Sequence, residues 1–151
     1  MSGPFGSSQW MYKSGDYEIE NSLRFNASDT PFLARTYGTA TNRKIWTLSV
    51  WVKRSNISGG TYPRIMSTAT GNDNINFMNT DTLRLESNFG QLITTQVFSD
   101  ASAWYHIVVA YDSTQGTEAN RVKFFINGTQ VTDFGTTNYP DQNDEIDFNS
   151  G

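Results

Sequence analysis

The stretch AWYHIVVAYD, residues 103–112, decides the fold of this chain. Side chains alternate across a β-strand, so a period of two sorts the stretch into two faces. One face carries Trp104, His106, Val108 and Ala110, and the other carries Tyr105, Ile107, Val109 and Tyr111. Because both sets are largely apolar, the stretch predicts a strand buried on both faces inside a sandwich.

A second apolar strand, VKFFI at residues 122–126, follows a polar loop and ends at the dipeptide Asn127-Gly128. Asn-Gly between apolar runs is the strongest local signal for a hairpin, because a type I′ turn requires positive φ at both central residues. The sequence therefore predicts a hairpin that returns along residues 129–131.

The remaining strands are predicted from alternation and from turn residues spaced about every 8–12 positions, a spacing typical of a sandwich. Residues 44–54 form the longest of them. Its inward side chains are Trp46, Leu48, Val50 and Val52. On the opposite face Trp51 is the exception, and we expect a loop or the N-terminal segment to cover it rather than a sugar to stack on it. Shorter strands are predicted at 22–25, 32–35, 64–67, 75–78, 82–87 and 91–97.

Composition supports a single all-β domain and excludes several classes of protein. The chain has 151 residues, of which 17% are charged and 14% aromatic, a balance that suits a sandwich with polar turns better than a helical bundle. The net charge of -4 disfavours a nucleic-acid partner, which requires clustered lysine and arginine. No cysteine is present, and no apolar run predicts a signal peptide or membrane insertion.

The Trp-x-His strand ending in Tyr-Asp, followed by an aromatic strand ending in Asn-Gly, resembles the laminin-G-like domain. The resemblance implies a concanavalin A-like jelly roll of two antiparallel sheets and runs from about residue 5 to residue 140. Within that group the chain is similar to domains of virion proteins of tailed, often marine, bacteriophages, such as tail and head fibres. The supporting segments are FGSSQWMY at 5–12, SLRFN at 22–26, FLAR at 32–35, WVKR at 51–54 and QVF at 96–98.

Two parts of the chain are predicted, an extended N-terminal arm at residues 1–20 and a sandwich at residues 21–151. The arm is rich in glycine and serine and cannot bury enough apolar surface to fold alone. Between residues 5 and 12 it nevertheless carries four large apolar side chains, which a partner would bury. We predict that it attaches the domain to a neighbouring subunit or particle, the alternative being an arm folded back on its own domain. The four residues are Phe5, Trp10, Met11 and Tyr12.

The last stretch, residues 136–151, departs from the family, in which further strands follow the hairpin and the last returns beside the first. A missing closing strand would expose backbone groups and core side chains. Three explanations stay open: the chain is part of a longer protein, a partner completes the sheet, or residues 145–148 form a substitute strand.

No catalytic residue is predicted. Glu145-x-Asp147 matches the first two carboxylates of the Glu-x-Asp-x-x-Glu motif of retaining glucanases, but Ser150 replaces the acid that their mechanism needs. His106 is the only histidine, and its place within a strand predicts a hydrogen-bonded core residue rather than part of a catalytic triad.

No cofactor is predicted, although relatives of this fold often bind calcium through loop carboxylates. Asp73, Asp81, Asp100 and Asp112 follow or precede predicted strands, where such oxygens converge. Turn chemistry alone also accounts for aspartate at these positions. A calcium site is thus an open alternative.

Two functions follow from the resemblance. The first is a non-enzymatic virion component, a tail fibre, head fibre or capsid-decoration protein on the particle surface, attached to other virion proteins through the arm and assembled as a homo-oligomer, with a trimer favoured. The second is a lectin-like adhesin that binds a host-surface glycan. Its candidate glycan contacts are the loop aromatics Tyr37, Tyr62, Phe89 and Tyr139.

Overall fold

The computed structural model describes residues 38, 42–55, 57, 62–68 and 71–149, which belong to one compact unit within residues 36–151. Nine strands lie in this part of the chain. They are β1 (Ile45–Lys53), β2 (Arg64–Ser67), β3 (Asn74–Phe77), β4 (Thr82–Ser87), β5 (Gly90–Val97), β6 (Trp104–Asp112), β7 (Val122–Ile126), β8 (Thr129–Gln130) and β9 (Phe134–Thr137). The described residues contain no helix that could span a membrane.

Several predictions lie outside the described residues: the strands at 22–25 and 32–35, the loop residue Tyr37, and the arm with Phe5, Trp10, Met11 and Tyr12. The boundary between an arm at residues 1–20 and a domain at residues 21–151 stays a prediction.

The strands form two antiparallel sheets. One has four strands in the order β1-β6-β7-β8, and the other has five in the order β2-β3-β4-β5-β9. Their inner faces share one apolar core, to which β3, β4 and β5 contribute from one sheet and β6 and β7 from the other. The predicted all-β, antiparallel, two-sheet jelly-roll sandwich is thereby confirmed.

The hairpin between β7 and β8 turns at Asn127 and Gly128, whose φ angles are 50° and 83°. Positive φ at both positions is what a type I′ turn requires. The Asn127 side chain also reaches the neighbouring strand, where its Oδ1 accepts the backbone N–H of His106 at 2.8 Å. The turn therefore fixes the start of β6 as well as the return of the chain.

One face of β6 packs into the core, and the other does not. Ile107, Val109 and Tyr111 are buried. On the opposite face Trp104 is 58% exposed and His106 is only partly buried. The prediction of burial on both faces is wrong, because the five-stranded sheet covers only the inner side of the four-stranded one. Alternation correctly gave the inner set of β1, whose members Trp46, Leu48, Val50 and Val52 all pack against the core.

The segment after the hairpin contains a strand that the sequence did not predict. β9 pairs with β5 in the five-stranded sheet, and its sequence FGTT offers one apolar residue and no alternation. Residues 145–148 are not a strand, since Asp147–Asn149 form a 3₁₀ turn preceded by the buried Ile146. Whether a closing strand is missing stays a prediction, because its expected neighbour lies outside the described residues.

A buried arginine ties the end of β1 to the other sheet. The Arg54 guanidinium pairs with Asp81 at 2.7 Å and donates to the carbonyl of Phe98 at 2.5 Å. It also lies 4.5 Å from the ring centroid of Phe77. Because a buried charge is costly unless it is paired and hydrogen-bonded, these contacts fix the chain immediately beyond Lys53.

Candidate ligand-binding face

The outer face of the four-stranded sheet carries a cluster of exposed aromatic side chains. In the register of β1 and β6, Trp51 lies opposite His106, and Lys53 lies opposite Trp104. Side chains of directly opposed residues project from the same face of an antiparallel pair. We call these four residues, Trp51, Lys53, Trp104 and His106, the outer aromatic face.

Both indoles of this face are open to solvent. Trp51 is 62% exposed and Trp104 is 58% exposed. Trp51 stacks on His106 with 4.9 Å between ring centroids and 21° between ring planes. Because the imidazole covers one side of the indole, the exposed area of Trp51 lies on its other side and its edge. No loop of the described residues covers Trp51. The expectation that the arm covers it stays a prediction, because the arm lies outside the described residues.

His106 is held in place by two hydrogen bonds. Its Nε2 lies 3.0 Å from the hydroxyl of Ser49, and its backbone N–H is bound by Asn127. The predicted hydrogen bonding is present, but the location in the core was wrong, because the alternation of β6 directs this side chain outward. The imidazole therefore supports the indole above it.

The loop aromatics do not form one platform within the described residues. Tyr62 is 48% exposed and lies beside the five-stranded sheet. The guanidinium carbon of Arg84 lies 5.5 Å from the centroid of the Tyr62 ring. Phe89 and Tyr139 are partly buried and pack against the core. Burial, followed by the charge of Glu118, raises the pKa of Tyr139. Their glycan contacts stay predictions, and Tyr37 lies outside the described residues.

The two carboxylates of the partial glucanase motif are occupied by one arginine. Arg43 pairs with Glu145 at 3.1 Å and also with Asp147. A third carboxylate, Asp73, reaches this segment, but it is 5% exposed. Its oxygens accept the Asp147 backbone N–H at 2.7 Å and the Ser87 hydroxyl. These bonds anchor the C-terminal segment and give the carboxylates a structural role.

The four aspartates weighed as calcium ligands have separate partners in the structure. Asp73 binds Ser87 and the backbone of residue 147, and Asp81 binds Arg54. Asp100 and Asp112 each bind residues of their own turns. Within the described part of the chain, no three His, Cys, Asp or Glu side chains are grouped closely enough to hold a metal ion.

Comparison with known families gives one match. Residues 23–151 match the laminin-G-like family described as the concanavalin A-like lectin/glucanases superfamily. The chain belongs to this family. No curated protein and no solved structure matches the sequence.

Concanavalin A-like domains of the laminin-G type are in general non-catalytic binding modules, although the superfamily also includes glucanases. The family fits a structural or a carbohydrate-binding module. The sequence prediction did not consider Trp104 as a candidate glycan contact and favoured a cover over Trp51 to a sugar stacked on it. Their signal was available in the alternation of β1 and β6, which placed both indoles on faces opposite to the core residues.

Proposed function

We propose that this chain is a non-enzymatic adhesion module that binds carbohydrate on the outer aromatic face. The observation that carries the proposal is the pair of indoles, Trp51 and Trp104, both more than half exposed on one sheet face. An indole offers a large, flat apolar surface at a small cost in side-chain entropy. Such a surface complements the apolar C–H face of a pyranose ring.

The polar neighbours supply the second requirement of a sugar site, which is hydrogen bonding beside the apolar platform. Ser49 and His106 lie along the same face as Trp51. Lys53 lies across from Trp104. Since His106 stacks on Trp51 before any ligand arrives, less side-chain freedom is lost on binding, which favours affinity.

The test compares aromatic residues on the two sheets. Trp51→Ala and Trp104→Ala should each weaken binding to glycans selected from an array about tenfold or more, as expected for central contact residues. Tyr62→Ala is the matched control, because Tyr62 is also half exposed but lies over Arg84 on the other sheet. Titration calorimetry measures all three variants.

Loss of binding in Tyr62→Ala alone would move the site to the predicted loop aromatics. Equal binding by the wild type and both tryptophan variants would refute the proposal for the outer aromatic face. Unchanged far-ultraviolet circular dichroism in each variant shows that the fold is retained.

We further propose that the module is displayed on a bacteriophage particle as part of a tail fibre, head fibre or capsid-decoration protein. The support is the resemblance of the sequence to virion proteins and the aromatic residues of the arm, Phe5, Trp10, Met11 and Tyr12. In this setting the arm binds another virion protein, and the chain assembles as a homo-oligomer, most simply a trimer. Adhesion to a host-surface glycan and display on the particle are then two parts of one function.

The attachment proposal is tested in the full chain by replacing Phe5, Trp10 and Tyr12 with serine. Light scattering should show the oligomer of the wild type dissociating to a folded monomer in the variant. Glycan binding by each monomer should persist, because the proposed glycan contacts are Trp51 and Trp104. An identical mass for both proteins would count against attachment through the arm.

A further inference from the structure

We infer that the ligand of the outer aromatic face is an acidic polysaccharide, and that Lys53 binds its uronate or sulfate groups. This inference rests on the proposed carbohydrate function and adds the chemical class of the sugar. It comes from the distribution of charge around the two indoles.

Lys53 is the only permanently charged side chain among the described outward residues from Thr47 to Lys53 of β1 and from Trp104 to Ala110 of β6, and Lys123 of β7 lies further along the same sheet face. The outward residues of β1 and β6 there are otherwise aromatic, small or neutral: Thr47, Ser49, Trp51, Trp104, His106, Val108 and Ala110. The whole chain has a net charge of -4. A positive, aromatic patch on an acidic protein is therefore a local exception that would attract an anionic ligand against the overall charge.

The ammonium group of Lys53 is not engaged in an ion pair by the described residues. Within the described part of the chain, Arg43, Arg54 and Arg84 form ion pairs, and Lys53 forms none. Lys53 is exposed and lies directly opposite Trp104. A sugar that stacks on the indole of Trp104 would thus bring an anionic substituent close to Lys53, its cross-strand partner.

The carboxylate of Asp100, in the turn that precedes β6, interacts electrostatically with Lys53. The pKa of Asp100 is lowered mainly by its hydrogen bonds with Ser102, and the charge of Lys53 is a smaller cause. Its Oδ1 accepts the backbone N–H and the hydroxyl of Ser102, both at 2.7 Å. Asp100 is thus engaged within its own turn and leaves the lysine without a direct ion pair.

An acidic polysaccharide uses both features of the face. A neutral sugar would use the indoles and leave the lysine without a partner of opposite charge. A small anion would use the lysine and leave two exposed indoles unused. In a chain of sugar rings with carboxylate or sulfate groups, the rings stack on the indoles and the anionic groups pair with Lys53. Binding of such a chain should weaken with salt, because exposed charges are screened.

The experiment measures binding of the full chain to polygalacturonate, dextran sulfate, and the neutral polymers galactan and dextran, at about 0.05 M and about 0.5 M salt. Lys53→Gln should weaken binding to an acidic polymer about two- to fivefold, the range expected for one exposed charge pair. Asp100→Asn, which keeps the turn's hydrogen-bond acceptor, should strengthen it by a similar factor. Lys123→Gln is the matched control, since Lys123 lies on the same sheet face opposite Ala110, away from the indoles.

Preference for polygalacturonate identifies a uronate, and preference for dextran sulfate identifies a sulfate. Equal binding of neutral and acidic polymers with no effect of Lys53→Gln, while Trp51→Ala still abolishes binding, overturns this inference and leaves the carbohydrate function intact. Absence of binding to every polymer and every arrayed glycan overturns both. Equal losses in Lys53→Gln and Lys123→Gln would show a general charge effect and would also overturn the role of Lys53.

Discussion

The indole of Trp51 lies nearly parallel to the imidazole of His106, with 4.9 Å between the ring centroids. The two residues are direct partners across β1 and β6, and the imidazole is in turn held at Nε2 by the hydroxyl of Ser49. An indole that is 62% exposed is thus supported from one side and positioned before any ligand binds. A surface tryptophan on a regular strand is fixed here by its cross-strand partner.

This relationship predicts a measurable coupling between the two side chains. In a double-mutant cycle of Trp51→Ala and His106→Ala, the free energy of unfolding should show a coupling of about 0.5–1 kcal/mol, typical of a cross-strand ring pair. Urea denaturation provides the values. The control cycle pairs His106→Ala with Thr47→Ala, which lies on the same face opposite Ala110 and should be additive. Additivity in both cycles would show that the stack contributes nothing to stability.

The sequence was sufficient for features that depend on neighbouring residues. Alternation gave the inner face of β1 and sorted β6 into its two faces, and Asn127-Gly128 gave the hairpin turn, because side-chain direction and positive φ are local properties of the chain. For β6, however, the sequence predicted burial of both faces and a core position for His106, and only Trp51 was placed opposite the inner side chains. Alternation could not show what lies above these two residues, since whether a second layer covers a sheet face depends on the tertiary arrangement.

Strand pairings and ion pairs between residues far apart in the sequence could not be predicted. β9 is a short strand with little β-sheet character of its own, and its place depends on pairing with β5. The pair Arg54–Asp81 joins the end of β1 to the turn after β3. Arg43 and Glu145 meet only because the C-terminal segment packs back beside the start of β1. No local pattern identifies such partners.

The buried pair Arg54–Asp81 should be sensitive to loss of its acidic partner. Asp81→Asn removes the charge but suits the backbone, since Asp81 has φ 60° and asparagine accepts that conformation. We expect the free energy of unfolding to fall by about 3 kcal/mol, because the buried guanidinium of Arg54 is left without an opposite charge. Glu86→Gln breaks the more exposed pair with Arg84 and should cost less than about 1 kcal/mol. Equal losses in the two variants would contradict this ranking.

Gly90 should not tolerate a side chain. Its φ is +116°, and a methyl group there would lie 2.9 Å from the Cβ and Nδ2 atoms of Asn138, where the end of β9 meets the start of β5. We expect Gly90→Ala to lower the free energy of unfolding by about 2 kcal/mol, from backbone strain and steric overlap. Gly116→Ala is the control, since no atom lies within 4 Å of the added methyl group, and it should change stability by less than about 0.5 kcal/mol. Thermal and urea unfolding of both variants measure the difference.

Tyr111 should make the protein sensitive to alkaline pH. Burial, with the nearby charge of Asp144, raises the pKa of Tyr111 above its ordinary value of 10.0. In the folded protein the neutral phenol stacks on Trp46 and donates to the carbonyl of Asp144 at 3.2 Å. Because the pKa is higher in the folded state, this stabilisation is complete below pH 10 and is lost as pH rises from there through the folded pKa. For one proton the loss is about 1.4 kcal/mol per pH unit.

The variant Tyr111→Phe separates this effect from the titration of other groups. At pH 8 it should lower the free energy of unfolding by only about 1 kcal/mol, because the Ser113 hydroxyl still donates to the Asp144 carbonyl at 2.6 Å. Between pH 10 and pH 11 its free energy of unfolding should fall less steeply than that of the wild type, so the two curves converge. Urea titrations at each pH measure both curves. Parallel curves would mean that the Tyr111 phenol keeps the same pKa in the folded and unfolded chains.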